Sequence, residues 1–403
     1  MDKAELAALL TTEGLRLLDD LPPVKTAADV AATVSRLRKA GLSPGLVSAV
    51  IGQARLRERA AAKFDAFAAG MLFTRAGLEQ ATRLSVAAHH AHRFRAAGMT
   101  SVADLGCGVG GDAMGFAALG LRVTAVDADE VTAALAAYNL APFGDLVTVR
   151  HATAQDAASD LPALGNPDAF WLDPARRTAG HGETARTAAG DWSPPLEWVF
   201  DLASRHPTGV KLGPGMDRDL IPDDVEAQWV SADGSTVELV LWSGALAREG
   251  VRRAALVLRG TSAVELTAPA DAPDEPVRAL GAFIHEPDGA VIRAHLIGEV
   301  ARALGAGMLA DRVAYLTSDT ELTSPFVSTF RVRETLPTDI RKLGAALRER
   351  GIGRLEIKKR GVDIDPATLR TKLKLRGDGE ATLLLTRVAG ARVAILADRV
   401  PAA

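Results

Sequence analysis

One cysteine, Cys107, stands among the 403 residues. That scarcity excludes an internal disulfide framework and any cysteine-based metal site, and it fits a reducing compartment. No run of about 18 uncharged apolar residues occurs, so no membrane-spanning helix and no membrane partner are expected. The opening segment, MDKAELAALLTTEG, carries acids and lacks the basic-then-apolar order of a secretory signal, so the expected location is cytoplasmic. A surplus of positive charge is missing as well. With a formal net charge of −3, any nucleic-acid partner has to be met by a local patch. Internal repeats and low-complexity tracts are absent beyond a bias toward alanine.

What remains is a chain that is 48% apolar, enough for two or three domains with substantial cores. From Lys3 to about Arg95, Ala and Leu recur at three- and four-residue spacings, broken at Pro22-Pro23, Gly41 and Gly70, which predicts helices throughout. Short apolar runs then alternate with helical stretches. Strands are expected at 101–105, 122–126, 146–150, 168–172, 208–212, 236–242 and 253–258, giving a mostly parallel, doubly wound α/β sheet. The last two, separated by a short connection, are expected to pair as an antiparallel hairpin at one edge. Proline and acids concentrated in TAPADAPDEP mark 261–278 as a linker. Beyond it a connecting region, 279–325, carries a helix near 293–304. The order strand, helix, strand, helix, strand, strand from about 326 to 403 predicts a split, ferredoxin-like α+β module. The expected domains are thus 1–75, 76–262, 279–325 and 326–403.

DLGCGVGGD, 104–112, lies between a strand and a helix. Gly106, Gly108, Gly110 and Gly111 remove side chains where backbone turns sharply and approaches a ligand, and the helix beginning near Asp112 offers its N-terminal dipole. Asp127, followed by Ala128, closes the next strand, where an acid accepts the ribose hydroxyls of an adenosine. These features suit a dinucleotide and S-adenosylmethionine alike. Asp104 favours the second, because a carboxylate beside the first glycine repels a pyrophosphate and suits a sulfonium and an α-ammonium group. Cys107 reads as a small filler of the loop.

DLGCGVGGDAMGFAALGLRVTAVDADEVTAALAAYNL resembles the core of class I S-adenosylmethionine-dependent methyltransferases, and within them the trimethylguanosine synthase branch of RNA methyltransferases. The resemblance implies a Rossmann-like sheet with S-adenosylmethionine as cofactor, the glycines lining it and Asp127 on the ribose. A further acid that usually borders the adenine maps onto Asp156. GMLFTRAGLEQATRLSVAAHHAHRF resembles the helix that precedes such a core and covers the cofactor, making Phe73, Thr74, Gln80 and Thr82 candidate contacts. His89, His90 and His92 have no carboxylate partner at helical spacing, so no metal is expected and a solvated or RNA-facing helix is the reading.

Members of this family carry an (Asp/Asn)-Pro-Pro-aromatic motif at the end of the fourth strand, and DPAR, Asp173-Pro174-Ala175-Arg176, occupies that place. An exocyclic base nitrogen has its lone pair delocalised into the ring. Methyl transfer therefore needs that nitrogen aligned with the methyl group and its N–H groups accepted by oxygen, which Asp173 and the carbonyls at Pro174 and Ala175 supply. Arg176 replaces the stacking aromatic; a guanidinium stacks on a base or clamps a phosphate, so the target base is open. Trp192 is either the missing platform or a core residue. Arg177 reads as a surface charge. Lys211, ending the fifth strand, is either a strand-end charge or a phosphate contact.

Between Arg348 and Arg376 ten basic residues face four acidic ones. LEIKKRGVDIDPATLRTKLKLRG, 355–377, resembles the THUMP-like domain attached to a group of bacterial methyltransferases. Lys358, Lys359, Arg360, Lys372 and Lys374 are the expected phosphate contacts, holding RNA without reading its sequence. Aromatics are scarce there. The expectation is an S-adenosylmethionine-dependent methyltransferase acting on a base nitrogen in structured RNA, tRNA or rRNA. A small-molecule or protein methyltransferase, a catalytically silent RNA-binding protein and a nicotinamide enzyme remain the alternatives.

Overall fold

The computed structural model describes residues 1–176 and 192–401. Its contacts form two compact units: Met1–Leu212, Asp217–Val225 and Leu241–Ala247 make the first, and Gly213–Met216, Glu226–Val240 and Arg248–Ala403 the second.

The first unit opens with helices Lys3–Leu9, Thr12–Asp19, Ala27–Lys39 and Pro44–Phe64. Each begins where a short polar side chain, on Asp2, Thr11, Thr26 or Ser43, accepts a backbone N–H of the first turn. Asp2 with Glu5 and Thr26 with Asp29 complete reciprocal capping boxes. Their apolar faces bury Leu6, Leu9, Leu18, Leu46 and Val50 together with Leu72, Val131 and Leu135. The helical region is thereby seated on the helix Glu130–Leu140.

Helices Arg75–Gln80 and Leu84–Ala96 lead into five parallel strands. Ser101–Leu105 pairs with Arg122–Asp127 on one side and Ala169–Leu172 on the other. Val147–His151 extends the first side and Thr208–Leu212 the second. Strand order reverses at Ser101–Leu105, so the carboxyl ends of that strand and of Ala169–Leu172 border the crevice where open α/β sheets take their ligands. The central strand is buried at all five positions, which is why SVADL shows no polar alternation.

In the second unit Arg253–Arg259 pairs parallel to Glu226–Ala232 and antiparallel to Ser262–Ala268. The expected hairpin of 236–242 with 253–258 is therefore replaced. Arg248 supplies a reason: its guanidinium binds the buried Glu226 at 2.6 Å and Glu265 at 2.5 Å, tying together the two strands that flank Arg253–Arg259. The expected linker likewise begins with a strand, since the alternation in SAVELTA outweighs the prolines that follow.

The same unit holds a seven-stranded sheet in the order Gly307–Ala310, Val313–Ser318, Phe283–Pro287, Val327–Leu336, Ala391–Arg399, Gly379–Val388, Ile352–Lys359. Residues 279–325 are thus part of this sheet instead of a connection. Their helical portion forms two short helices, Gly289–Arg293 and Ile297–Ala303. The element order from 327 onward is as expected for the C-terminal α+β domain. Helix Pro366–Leu373 crosses over, so Ile352–Lys359 and Gly379–Val388 run parallel. Ile340–Glu349 and Pro366–Leu373 pack on one sheet face through Leu343, Leu347, Leu369 and Leu373, and Ile284, Leu309, Tyr315 and Phe330 fill the other core.

Candidate active site

At the end of the central strand the backbone N–H groups of Gly106 and Cys107 both donate to the Val126 carbonyl, at 2.8 and 3.0 Å, which bends the chain over the second strand. Gly106, Gly108 and Gly110 hold φ of 102°, 56° and 92°, values that side chains with a Cβ rarely adopt. The Asp127 carboxylate accepts from Gly108 N at 3.1 Å and from Asp129 N at 2.9 Å, locking the glycine turn to the next strand. Burial raises the Asp127 carboxyl, opposed by those two backbone bonds.

The Asp173-Pro174 corner opens onto this turn. A Cβ at Gly106 would lie 3.2 Å from the Asp173 carbonyl oxygen, tighter than ordinary contact, so glycine favours the approach. Asp104, in the strand that leads into the turn, is 1% exposed, and neither carboxylate oxygen has a hydrogen-bond partner among the described residues. Burial, reinforced by Asp112 and Asp173, pushes its carboxyl well above the ordinary range. A buried carboxylate without a partner is costly unless a ligand brings the missing cation. S-adenosylmethionine carries two, on sulfur and on the α-amino group, so these residues fit that cofactor.

Two curated relatives, S-adenosylmethionine-dependent methyltransferases of Mycobacterium tuberculosis strains CDC 1551 / Oshkosh and ATCC 25618 / H37Rv, are each 34% identical over 367 residues, covering 88% of this chain and 95% of theirs. The chain belongs to the S-adenosylmethionine-dependent methyltransferases. Within this methyltransferase a family model described as THUMP domain-like matches residues 327–399, and one for a domain of unknown function, DUF8688, matches residues 2–60. A crystal structure from Porphyromonas gingivalis W83 with a provisional methyltransferase assignment superposes with a TM-score of 0.74 at 21% identity, covering 100% of both chains, and supports the fold.

The methyltransferase gathers several of the expected residues around the turn. Asp112 and Thr82 are buried and joined, Thr82 Oγ1 donating to Asp112 Oδ2 at 2.7 Å. Phe73 is fully buried, its ring 5.5 Å from that of Phe64. Cys107 is buried and burial raises its thiol, which suits a filler and not a nucleophile. Thr74 caps helix Arg75–Gln80 by accepting from Gly77 N at 2.9 Å, while Gln80, at its other end, is exposed. Ala128 is exposed beside Asp127. Asp156 is exposed too, its carboxylate accepting from the Thr153 hydroxyl at 2.7 Å. Ala175 and Arg176 form a short antiparallel ladder with Ser193 and Trp192, and Trp192 is 6% exposed. The Arg176 side chain and Arg177 lie outside the described residues.

Two expectations are corrected. Lys211 was expected as a strand-end charge or a phosphate contact. Its ammonium instead lies inside the protein, 2.5 Å from Asp173 Oδ2, donating to Thr82 Oγ1 at 2.8 Å and 3.8 Å from Asp112 Oδ2. His90, expected on a solvated or RNA-facing helix, is 1% exposed; its Nδ1 lies 2.8 Å from Asp112 Oδ1 and its ring 4.4 Å from that of Trp171. The carboxylate missing at helical spacing comes from another helix, Gly111–Ala118. Burial works to raise Asp112, but His90, Lys211 and Thr82 outweigh it and bring the carboxyl down to about 2.

Sequence reading missed two buried amides. Asn139 accepts from Leu72 N at 2.7 Å and donates to the carbonyls of Leu72 and Val109, each at 2.9 Å. Gln53 brackets Phe73 in the same way, donating to its carbonyl at 2.7 Å and accepting from its N–H at 2.9 Å. Together they pin segment 72–73 beside the glycine turn. A lone polar residue within an apolar helical face, as in VIGQARL and AAYNLAP, was the available signal.

In the second unit, Lys358 pairs with Glu286 at 2.6 Å and Arg360 with the same carboxylate at 3.5 Å. These two charges are engaged inside the sheet domain instead of standing open to phosphate. Lys359, Lys372 and Lys374 are exposed. Among the described residues no helix is long and apolar enough to cross a membrane, and no group of three or more His, Cys, Asp or Glu is placed to hold a metal ion.

Proposed function

We propose that this methyltransferase modifies a base nitrogen in structured RNA, tRNA or rRNA, with residues 327–399 holding the RNA. The observation that carries the reading is the meeting of Gly106 with the Asp173-Pro174 corner, where a Cβ would fall 3.2 Å from the Asp173 carbonyl. On this reading a hydrogen-bond acceptor for an amine stands beside the turn that takes the cofactor. The THUMP domain-like match and the exposed Lys359, Lys372 and Lys374 favour RNA as the bearer of that amine.

When bound, S-adenosylmethionine supplies an electrophilic methyl group. Asp127 would accept its ribose hydroxyls, Asp104 would face its cationic end and Asp156 would border the adenine, with Phe73, Gln80 and Thr82 from the covering segment. The Asp173 carboxylate and the carbonyls of Pro174 and Ala175 would accept the N–H groups of the target amine, orienting its lone pair and favouring the positive charge that develops on nitrogen. No strong base is needed, because that nitrogen becomes acidic only as it turns cationic. Arg176 and Trp192 are the candidates for contact with the base.

The test is nucleoside mass spectrometry on RNA from a strain lacking the gene, before and after incubation with purified protein and methyl-labelled S-adenosylmethionine. One methylated base missing from that RNA and restored by the protein, but not by Asp173→Ala, is expected. Label entering only small molecules or protein would refute the RNA assignment.

A further inference from the structure

We propose that Lys211 is the positioning residue for Asp173, fastening the amine acceptor to the buried side of the cofactor turn. This rests on the reading of Asp173 given above. The Lys211 side chain is 10% exposed and its ammonium lies 2.5 Å from Asp173 Oδ2, while Asp173 itself keeps 31% exposure. The carboxylate is therefore gripped from its buried side.

The grip is itself fixed. Thr82 Oγ1 accepts from Lys211 at 2.8 Å and passes its own hydrogen to Asp112 Oδ2 at 2.7 Å, and Asp112 is held by His90 at 2.8 Å. Four separate elements converge here: the turn after helix Arg75–Gln80, helix Leu84–Ala96, helix Gly111–Ala118 and strand Thr208–Leu212. A flexible lysine acquires one position only when its donors are fixed this way, and here two of them are directed at Asp173 and Thr82.

Charge explains why the position matters. Asp104, Asp112 and Asp173 crowd one small volume, and both Asp112 and Asp173 bear on the Asp104 carboxyl while Lys211 opposes them. Without the ammonium, Asp173 loses the 2.5 Å ion pair that holds it against these like charges. Repulsion from them would shift its carboxylate, and an acceptor displaced by about 1 Å loses on the order of a hundredfold in rate. A residue that only bound RNA phosphate would instead affect substrate affinity.

The experiment compares full-length wild type, Lys211→Met, Lys211→Arg, Asp173→Asn and the double variant Asp173→Asn/Lys211→Met. Lys211→Met is expected to lower kcat by about tenfold to a hundredfold with little change in KM for RNA, Lys211→Arg to recover part of the loss, and the double variant to match Asp173→Asn alone. Losses that multiply in the double variant, or a change confined to KM, would overturn the proposal. A second readout needs no substrate: the 13C carboxyl resonance of Asp173, identified by its loss in Asp173→Asn, should titrate about one pH unit or more higher in Lys211→Met. An unmoved midpoint overturns the coupling. If wild type methylates no RNA while that midpoint moves, the functional reading fails and the Lys211–Asp173 pairing stands.

Discussion

Gly106 and Asp173 approach each other at the ends of two neighbouring strands, with the Asp173 carbonyl 3.2 Å from where a Gly106 side chain would begin. Gly106→Ala must relieve both this approach and a φ of 102°, at a cost of about 1–3 kcal/mol. Calorimetry should find S-adenosylmethionine binding weakened by roughly tenfold or more in the variant, with far-UV circular dichroism unchanged. Unchanged affinity would separate the turn from the cofactor.

Asp104 links stability and binding in opposite directions. Its carboxyl is raised in the folded protein, so the cofactor-free chain loses stability as pH rises above the ordinary carboxylate value and the buried group is driven to ionise. Asp104→Asn removes that charge. Thermal unfolding at pH 8 without cofactor should occur at higher temperature in the variant, and S-adenosylmethionine should bind it more weakly and raise its Tm less. A lower Tm together with wild-type binding would show that Asp104 is only structural.

Asn139 makes three buried hydrogen bonds that an alanine side chain cannot make. Asn139→Ala leaves Leu72 N, Leu72 O and Val109 O to find other partners, a loss of about 2–4 kcal/mol. Hydrogen exchange over residues 71–77 should quicken and cofactor affinity should fall with it. Unchanged exchange in that segment would contradict the clamp.

His285 is buried between the Thr329 and Ser318 hydroxyls, each at 2.9 Å, and burial lowers its imidazole to about 4. A depressed histidine value means that the unfolded chain takes up a proton first as pH falls. Stability from this site is therefore complete above about 6.5 and declines toward pH 4, by about 3 kcal/mol over the window. Chemical denaturation between pH 7.5 and 4.5 should show this slope, and His285→Gln should flatten it. Equal slopes would assign the acid sensitivity elsewhere.

Lys359, Lys372 and Lys374 are exposed, whereas Lys358 is committed to Glu286 at 2.6 Å. Replacing the three exposed lysines by alanine should weaken RNA binding and reduce the slope of log affinity against log salt by about two to three, while Lys358→Ala changes that slope by less than about one. Filter binding across a salt series measures both. A larger change from Lys358→Ala would mean that the Glu286 pair opens on RNA.

The sequence by itself determined the features set by local rules. Helices start at Asp2, Thr11, Thr26 and Ser43 because those side chains cap them, and the parallel strands follow from short apolar runs separated by helices. The glycine turn with Asp127, and the Asp173-Pro174 corner, were also legible, since a sharp turn and an acceptor at a strand end each require particular residues within a few positions. The tertiary structure alone decided the pairings across distance. Nothing within ten residues of Lys211 announces that Asp173, Thr82 and Asp112 will take its charge, or that His90 will meet Asp112. The strand 253–259 likewise found its neighbours 226–232 and 262–268 through sheet order, which turn length and alternation do not encode. Local sequence specifies backbone geometry through sterics and hydrogen-bond geometry. A buried ion chooses its partner only after the fold has removed the water that would otherwise have solvated it.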